Sequence, residues 1–380
     1  MKVNPVLISL GEYPIGRLQE KARQLRAGGV RVLDFSIGDP LEPTAAFIRQ
    51  ALQEAVPAVS QYPTTTGLPE LRRTVADYVG RRFGVDVDPA TQVMPTSGSK
   101  EAIFSSALAF VDRDRGDVVA WPTPGYPIYE RGALLAGAEG HPVRLGGDFV
   151  LRAGDVPDVV WQRASLLWTC TPHNPAGSVT PRADLADLYA RARENDTLLC
   201  SDECYADLYD DEPPASVLEV ADAGARGCLT FLSLSKRSGM TGYRSGAIVG
   251  DPEAIALLKS LRSSTGTASP EFVQAAAIAA WRDDAHVTER REIFRQKRAI
   301  MSKAFDSLGM AVVASRAGIY LWVEVGDDLA VSERLVECGI LVTPGRAFGP
   351  GGEGHVRLAL VPTLDECDEA AAELARCLGS

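Results

Sequence analysis

Short apolar runs alternate with amphipathic stretches through most of this 380-residue chain. Runs at 30–37, 92–96, 117–121, 165–170, 197–201, 229–234 and 247–249 predict strands, and several are apolar almost throughout. Strands covered on both faces have that pattern, whereas half-exposed strands alternate. Helical periodicity fills the gaps, for example at 99–111 and Arg182–Glu194. Ser99 suits an N-cap, and Pro181 stands where a first helical turn would begin. This βαβ rhythm predicts an α/β fold with a mostly parallel sheet between helices. It fades after about Gly250. Helical stretches at 252–262 and 271–308 follow, then short strands at 318–325, 341–343 and His355–Ala359, and a last helix at Leu364–Leu378. The change predicts a second, smaller α+β domain at the carboxyl end.

In open α/β sheets, ligands bind beyond the carboxyl ends of the strands, and there the residues are unusual. The successive strand ends lead into Ser97-Gly98-Ser99-Lys100, Pro122-Thr123-Pro124-Gly125-Tyr126, Thr171-Pro172-His173-Asn174-Pro175-Ala176-Gly177, Asp202-Glu203-Cys204-Tyr205 and Ser235-Lys236-Arg237-Ser238-Gly239. Gly98 and Ser99 at a helix start offer backbone N–H groups and a hydroxyl to a phosphate, with Lys100 beside them. Ser233, Ser235 and Arg244 can add two hydroxyls and a fixed positive charge. Lys236 directly follows an apolar strand, where burial and the neighbouring Arg237 and Arg244 would lower its pKa and favour a nucleophilic amine. A lysine of that kind beside a phosphate cradle suits pyridoxal phosphate. The cofactor also needs a carboxylate at its pyridine nitrogen. Asp202 can supply it. Glu203 competes, but strand alternation puts only one of the two on a given face. Tyr126 can cover the ring, and Asn174 and Tyr205 can donate to its oxygen.

These residues resemble the fold-type I, class I/II aminotransferases that depend on pyridoxal phosphate. The resemblance runs the length of the chain. Ile37-Gly38-Asp39-Pro40 resembles the family's first glycine motif beside the substrate, and Asn174-Pro175-Ala176-Gly177 its Asn-Pro-x-Gly turn. Ser233-Leu234-Ser235-Lys236, with Gly242 and Arg244 beyond it, matches the lysine signature. Tyr62-Pro63, with Gly67 and Leu71-Arg72, resembles the segment whose tyrosine reaches the neighbouring subunit's cofactor phosphate, which implies a homodimer. His355-Val356-Arg357-Leu358 resembles the segment whose arginine grips the substrate α-carboxylate. The implied organisation is a large cofactor-binding domain over 31–265 and a small domain made of 1–30 and 266–380. The implied roles are transfer of a proton by Lys236, stabilisation of the pyridinium by Asp202 and ring stacking by Tyr126, with Gly38, Asn174 and Arg357 on the substrate.

A narrower resemblance joins residues 1–25, Ser201-Asp202-Glu203-Cys204-Tyr205, Ser235-Lys236-Arg237-Ser238 and Ala280-Trp281 to bacterial N-succinyldiaminopimelate aminotransferases of lysine synthesis. Those usually carry Asn where this chain has Gly239, and Gly where it has His173. The implied reaction exchanges an amino group between glutamate/2-oxoglutarate and N-succinyl-LL-2,6-diaminopimelate. The alternatives are an aromatic or broad-specificity aminotransferase, a lyase that uses the same cofactor for β-elimination, and an effector-sensing domain of this fold.

Composition narrows the partners. Lys and Arg number 39 against 50 Asp and Glu, a net charge of −11. Nucleic acid and anionic membranes ask for a basic face, so neither is expected. No apolar run approaches the ~18–20 residues of a membrane span, and the amino end has no stretch suited to a secretory signal. The chain is expected in the cytoplasm, acting on amino and 2-oxo acids. Seven cysteines, an odd count without a CxxC pair, indicate neither a disulfide framework nor a metal site. Buried, reduced thiols are the expectation.

Overall fold

The computed structural model describes residues 1–10 and 16–379, so part of the 1–25 segment lies outside the described residues. Its strands are β1 (Leu33–Asp34), β2 (Val93–Thr96), β3 (Val118–Thr123), β4 (Glu139–Arg144), β5 (Ala164–Cys170), β6 (Leu198–Asp202), β7 (Cys228–Ser233), β8 (Gly246–Gly250), β9 (Val312–Val313), β10 (Tyr320–Glu324), β11 (Ile340–Leu341), β12 (Thr343–Pro344) and β13 (His355–Ala359). Seven of them form one sheet in the order β2-β8-β7-β6-β5-β3-β4. All neighbouring pairs run parallel except those made by β8, which is antiparallel to both β2 and β7. The carboxyl ends of β2, β3, β5, β6 and β7 therefore share one edge.

The apolar runs arise because both faces of this sheet are covered. On one face Trp121, Trp168 and Phe231 pack with Ile103, Tyr129 and Ile255 from helices Ser99–Phe110, Ile128–Ala136 and Pro252–Thr265. On the other, Val93, Leu167, Leu199 and Val249 join Val75, Leu188 and Trp281 from helices Pro69–Phe83, Arg182–Glu194 and Glu271–Arg282. A four-stranded antiparallel sheet, β12-β13-β10-β9, has its own core. Leu321, Val323, Val356 and Leu358 pack there with Phe294, Leu335 and Leu374 from helices Ala285–Ser307, Asp328–Glu337 and Leu364–Leu378.

Several sequence expectations need correction. Ser99 is the first helical residue, and the N-cap is Gly98, whose φ of +87° no serine adopts easily. The stretch 271–308 is two helices, because Asp283 takes an extended conformation and its carboxylate accepts the His286 N–H at the start of the second. Only two residues of 30–37 form a strand. The stretch 341–343 is split, with β11 pairing β1 and β12 pairing β13. Strand β4 was not anticipated, because an edge strand of sequence EGHPVR buries only Val143. Cys338 and Cys377 form a disulfide, with Cα atoms 6.2 Å apart, a separation disulfides commonly span. These cysteines lie 39 residues apart in sequence, and only packing of two helix ends brings them together. The other five are free and buried. Among the described residues, no helix is long and apolar enough to cross a membrane.

Candidate active site

A cavity of about 720 Å³ opens at the shared strand edge, below the four-stranded sheet. It gathers Gly38, Ser99, Lys100, Tyr126, Asn174, Asp202, Tyr205, Ser233, Ser235, Lys236, Arg244 and Arg357, from sequence positions more than 300 residues apart. Of the residues singled out in the sequence, Gly98 lies just behind the wall and Tyr62 lies elsewhere, fully exposed at 101%.

Lys236 lies in the short helical turn Leu234–Arg237 that follows β7 and is capped by Ser233, whose hydroxyl accepts the Ser235 N–H at 3.1 Å. Lys236 Nζ donates to the Gly38 carbonyl. Burial lowers its pKa to about 8. Arg244 and Arg357 push in the same direction, and Asp39 and Cys204 oppose them. The expected help from Arg237 is absent. That guanidinium turns away, 2.7 Å from Asp207 and 2.6 Å from Asp284, and is held on the far side of the turn.

Asp202 and Glu203 separate as alternation requires. Asp202 faces the cavity, where its Oδ2 accepts the Tyr129 hydroxyl at 2.8 Å and its Oδ1 the Cys204 N–H at 3.3 Å. Burial raises its pKa, and a cation placed against it would favour its charged form. Glu203 points behind the sheet to Ser201 and the Val217 N–H, and burial pushes its pKa up to about 7. Arg244 approaches the start of helix Ser99–Phe110 so closely that a Cβ at Gly98 would stand 2.4 Å from Nη2. Arg244 itself sits at a φ of +56°, and its Nη1 donates to Thr241. The arrangement places a guanidinium, the Ser99 and Ser235 hydroxyls and a helix start at one end of the cavity, which fits a phosphate.

Arg357 lies on β13, opposite Trp322 and Thr343. Its Nη1 donates to Asn174 Oδ1 at 2.9 Å and its Nη2 to the Ser36 carbonyl at 2.6 Å. The rings of Tyr320 and Phe348 flank the guanidinium, 4.3 and 4.5 Å from its carbon. Its buried Nε has no protein partner among the described residues. A planar cation so fixed, with donor capacity to spare, suits a carboxylate. Tyr205 and Tyr320 share a hydrogen bond of 2.8 Å between their hydroxyls.

Tyr129 and Tyr320 were missed in the sequence. Tyr129 carried a faint signal, three positions beyond Tyr126 at a helix start. Tyr320 carried none, because its strand comes from the other sheet. His173 does not line the cavity. It is buried with both ring nitrogens unpartnered among the described residues, and burial lowers its pKa to about 4. The lining therefore supplies an amine, a buried carboxylate, a phosphate-sized cradle and a carboxylate-binding guanidinium in one place. Those are the contacts pyridoxal phosphate and an amino acid need.

Comparison with known proteins agrees. The family model for aminotransferase class I and II matches residues 30–374. The LL-diaminopimelate aminotransferase of Desulforudis audaxviator is 36% identical over 381 residues, covering 98% of this chain and 96% of that protein. The 4-dedimethylamino-4-oxo-anhydrotetracycline transaminase OxyQ of Streptomyces rimosus is 36% identical over 368 residues, with coverages of 96% and 99%. Among solved structures, a probable N-succinyldiaminopimelate aminotransferase from Thermus thermophilus superposes with a TM-score of 0.89 at 29% identity, over 95% of this chain and 99% of that one.

Proposed function

The chain belongs to the class I and II aminotransferases, and from that premise we propose that it exchanges an amino group between glutamate/2-oxoglutarate and N-succinyl-LL-2,6-diaminopimelate in lysine synthesis. As a member of the family it is a fold-type I transaminase that uses pyridoxal phosphate. The observation that carries the reading is one cavity shared by Lys236, Asp202 and Arg357. Its volume of about 720 Å³ falls within the roughly 300–1,000 Å³ that take drug-sized ligands. A cofactor and an extended acyl chain are ligands of that scale.

Pyridoxal phosphate, when bound, supplies an aldehyde for the amino nitrogen and a protonated ring that takes up the electron pair released at Cα. The chain's own residues do the rest. Arg357, held by Asn174 and Ser36, orients the α-carboxylate. Lys236 Nζ, neutral above about pH 8, accepts the proton lost from Cα. Asp202, itself held by Tyr129, keeps the ring nitrogen protonated. Ser99, Ser235 and Arg244 hold the phosphate, and Tyr126, Asn174 and Tyr205 fix the ring.

A second reading is free LL-diaminopimelate. The relative from Desulforudis audaxviator is named for it, and Asp39 in the cavity lining would suit a distal ammonium. Steady-state comparison of succinylated, acetylated and free diaminopimelate, with phenylalanine and aspartate as controls, decides. A site that hydrogen-bonds the succinyl group should favour it on the order of 10²-fold or more, because buried donors are left unpaired without it. A free diaminopimelate preference selects the second reading. A preference for phenylalanine or aspartate overturns both.

We further propose a homodimer in which Tyr62 reaches the partner's phosphate. Tyr62 is fully exposed in the single chain and Val59, close to it in sequence, is more than half exposed, so both are available to a partner subunit. Tyr62→Phe is expected to weaken cofactor affinity about tenfold, the worth of one hydrogen bond to a charged group. Equilibrium titration measures it. A fully active monomer in sedimentation under assay conditions would refute the dimer.

A further inference from the structure

Helix Ala285–Ser307 presents two side chains, one turn apart, to the back of the Lys236 turn. His286 Nε2 lies 2.9 Å from Ser238 Oγ, and its Nδ1 lies 2.6 Å from Asp283 Oδ1. The carboxylate fixes the ring proton on Nδ1 and leaves Nε2 to accept from the serine. Burial, together with Arg237 and Arg290, lowers the pKa of His286, against the pull of Asp283. The neutral ring therefore persists at neutral pH. Arg290, 6% exposed, brings its Nε to 3.4 Å from the Lys236 carbonyl oxygen. Its buried Nη2 has no partner among the described residues. Gly239 makes room for it. A Cβ there would stand 2.8 Å from Arg290 Nη1, and the residue sits at a φ of +64°. Thr44 closes the turn by donating to the Gly239 carbonyl at 2.6 Å. Ser238, His286 and Arg290 do not line the cavity.

We infer that His286 and Arg290 are positioning residues for Lys236. They clamp the 236–239 turn from behind the cavity wall, His286 through Ser238 and Arg290 through the Lys236 carbonyl. Gly239 is glycine because Arg290 occupies the space a side chain would need. Lys236 must both bear the cofactor and meet the Cα proton, so a small displacement of its backbone costs rate rather than binding. The inference rests on Lys236 as the cofactor-bearing lysine, and not on which substrate is preferred.

The experiment uses cofactor-loaded protein and any amino donor the wild type turns over. His286→Leu, Ser238→Ala and Arg290→Met are each expected to lower kcat about 10- to 100-fold with KM within a few-fold. Each should also move the pH midpoint of the visible cofactor band. His286→Gln, which keeps an acceptor near Ser238, should restore kcat to within about threefold and return the midpoint. Asn tolerates positive φ, so Gly239→Asn should act by displacing Arg290 and match Arg290→Met. The Gly239→Asn/Arg290→Met double variant should then be no worse than either. Variants that lose only thermal stability, with kcat and midpoint as in the wild type, would overturn the inference, as would additive losses in the double variant. Should His286→Leu fail to fold, Ser238→Ala removes a single hydroxyl and decides the same point. Borohydride fixation followed by peptide mapping tests the role of Lys236 separately.

Discussion

Lys236→Ala should cost at least about 10²–10⁴-fold in transamination, the range for loss of a positioned general base, and should still bind pyridoxal phosphate weakly. The wild-type protein, loaded with cofactor, should be yellow and lose its visible band to borohydride with the label fixed on Lys236. The variant should show no such fixation. The pH dependence has a definite sign. An amine of pKa about 8 is about half neutral at pH 8, where an ordinary lysine is less than about 1% neutral. In cofactor-free protein, modification of Lys236 by an amine reagent should therefore rise with pH through about 8 and level off above it. Near-full turnover in Lys236→Ala, or a modification midpoint near that of an ordinary lysine, would show that the amine is not the reactive group.

Asp202→Asn is expected to lower kcat and kcat/KM together by about 10²–10³-fold, as losses of preorganised electrostatic partners do. The amide keeps the shape, its oxygen can still accept the Cys204 N–H and its NH2 can donate to the Tyr129 hydroxyl oxygen, so folding should survive. It loses the negative charge that a ring cation requires. Glu203→Gln is the matched control. Its carboxyl is just as buried but faces Ser201 and Val217, so it should affect stability more than rate. Steady-state kinetics and thermal melts on the pair separate the two. Equal rate losses would mean that the wrong acid had been assigned to the ring.

The strand ends were legible in the sequence because β5, β6 and β7 are buried on both faces and stand out as apolar runs. Each is followed at once by polar residues that packing does not need. Residues 165–170 and 229–234 differ from β5 and β7 by one residue at their ends. Contacts that cross between the two sheets were not legible. Asn174 meets Arg357, and Tyr205 meets Tyr320, only because the four-stranded sheet folds over the cavity. Nothing near them in sequence says so. The same limit hid Tyr129 beneath Asp202 and led Arg237 to be counted with the wrong partners. Asp283 and Asp284 were the only local sign that 271–308 breaks. That break is what turns His286 toward Ser238.

The Cys338–Cys377 bond closes a covalent ring that contains β11, β12 and β13, and hence Arg357. Asn174 and Ser36, the partners of that arginine, lie outside it. Loop-closure entropy assigns a ring of this size about 4 kcal/mol. Reductant should therefore lower the urea midpoint, and it should loosen the substrate-carboxylate grip before it disturbs the phosphate cradle. The reduced protein would then hold its cofactor while losing its hold on amino acids, so that KM rises at a urea concentration where the visible band is still intact.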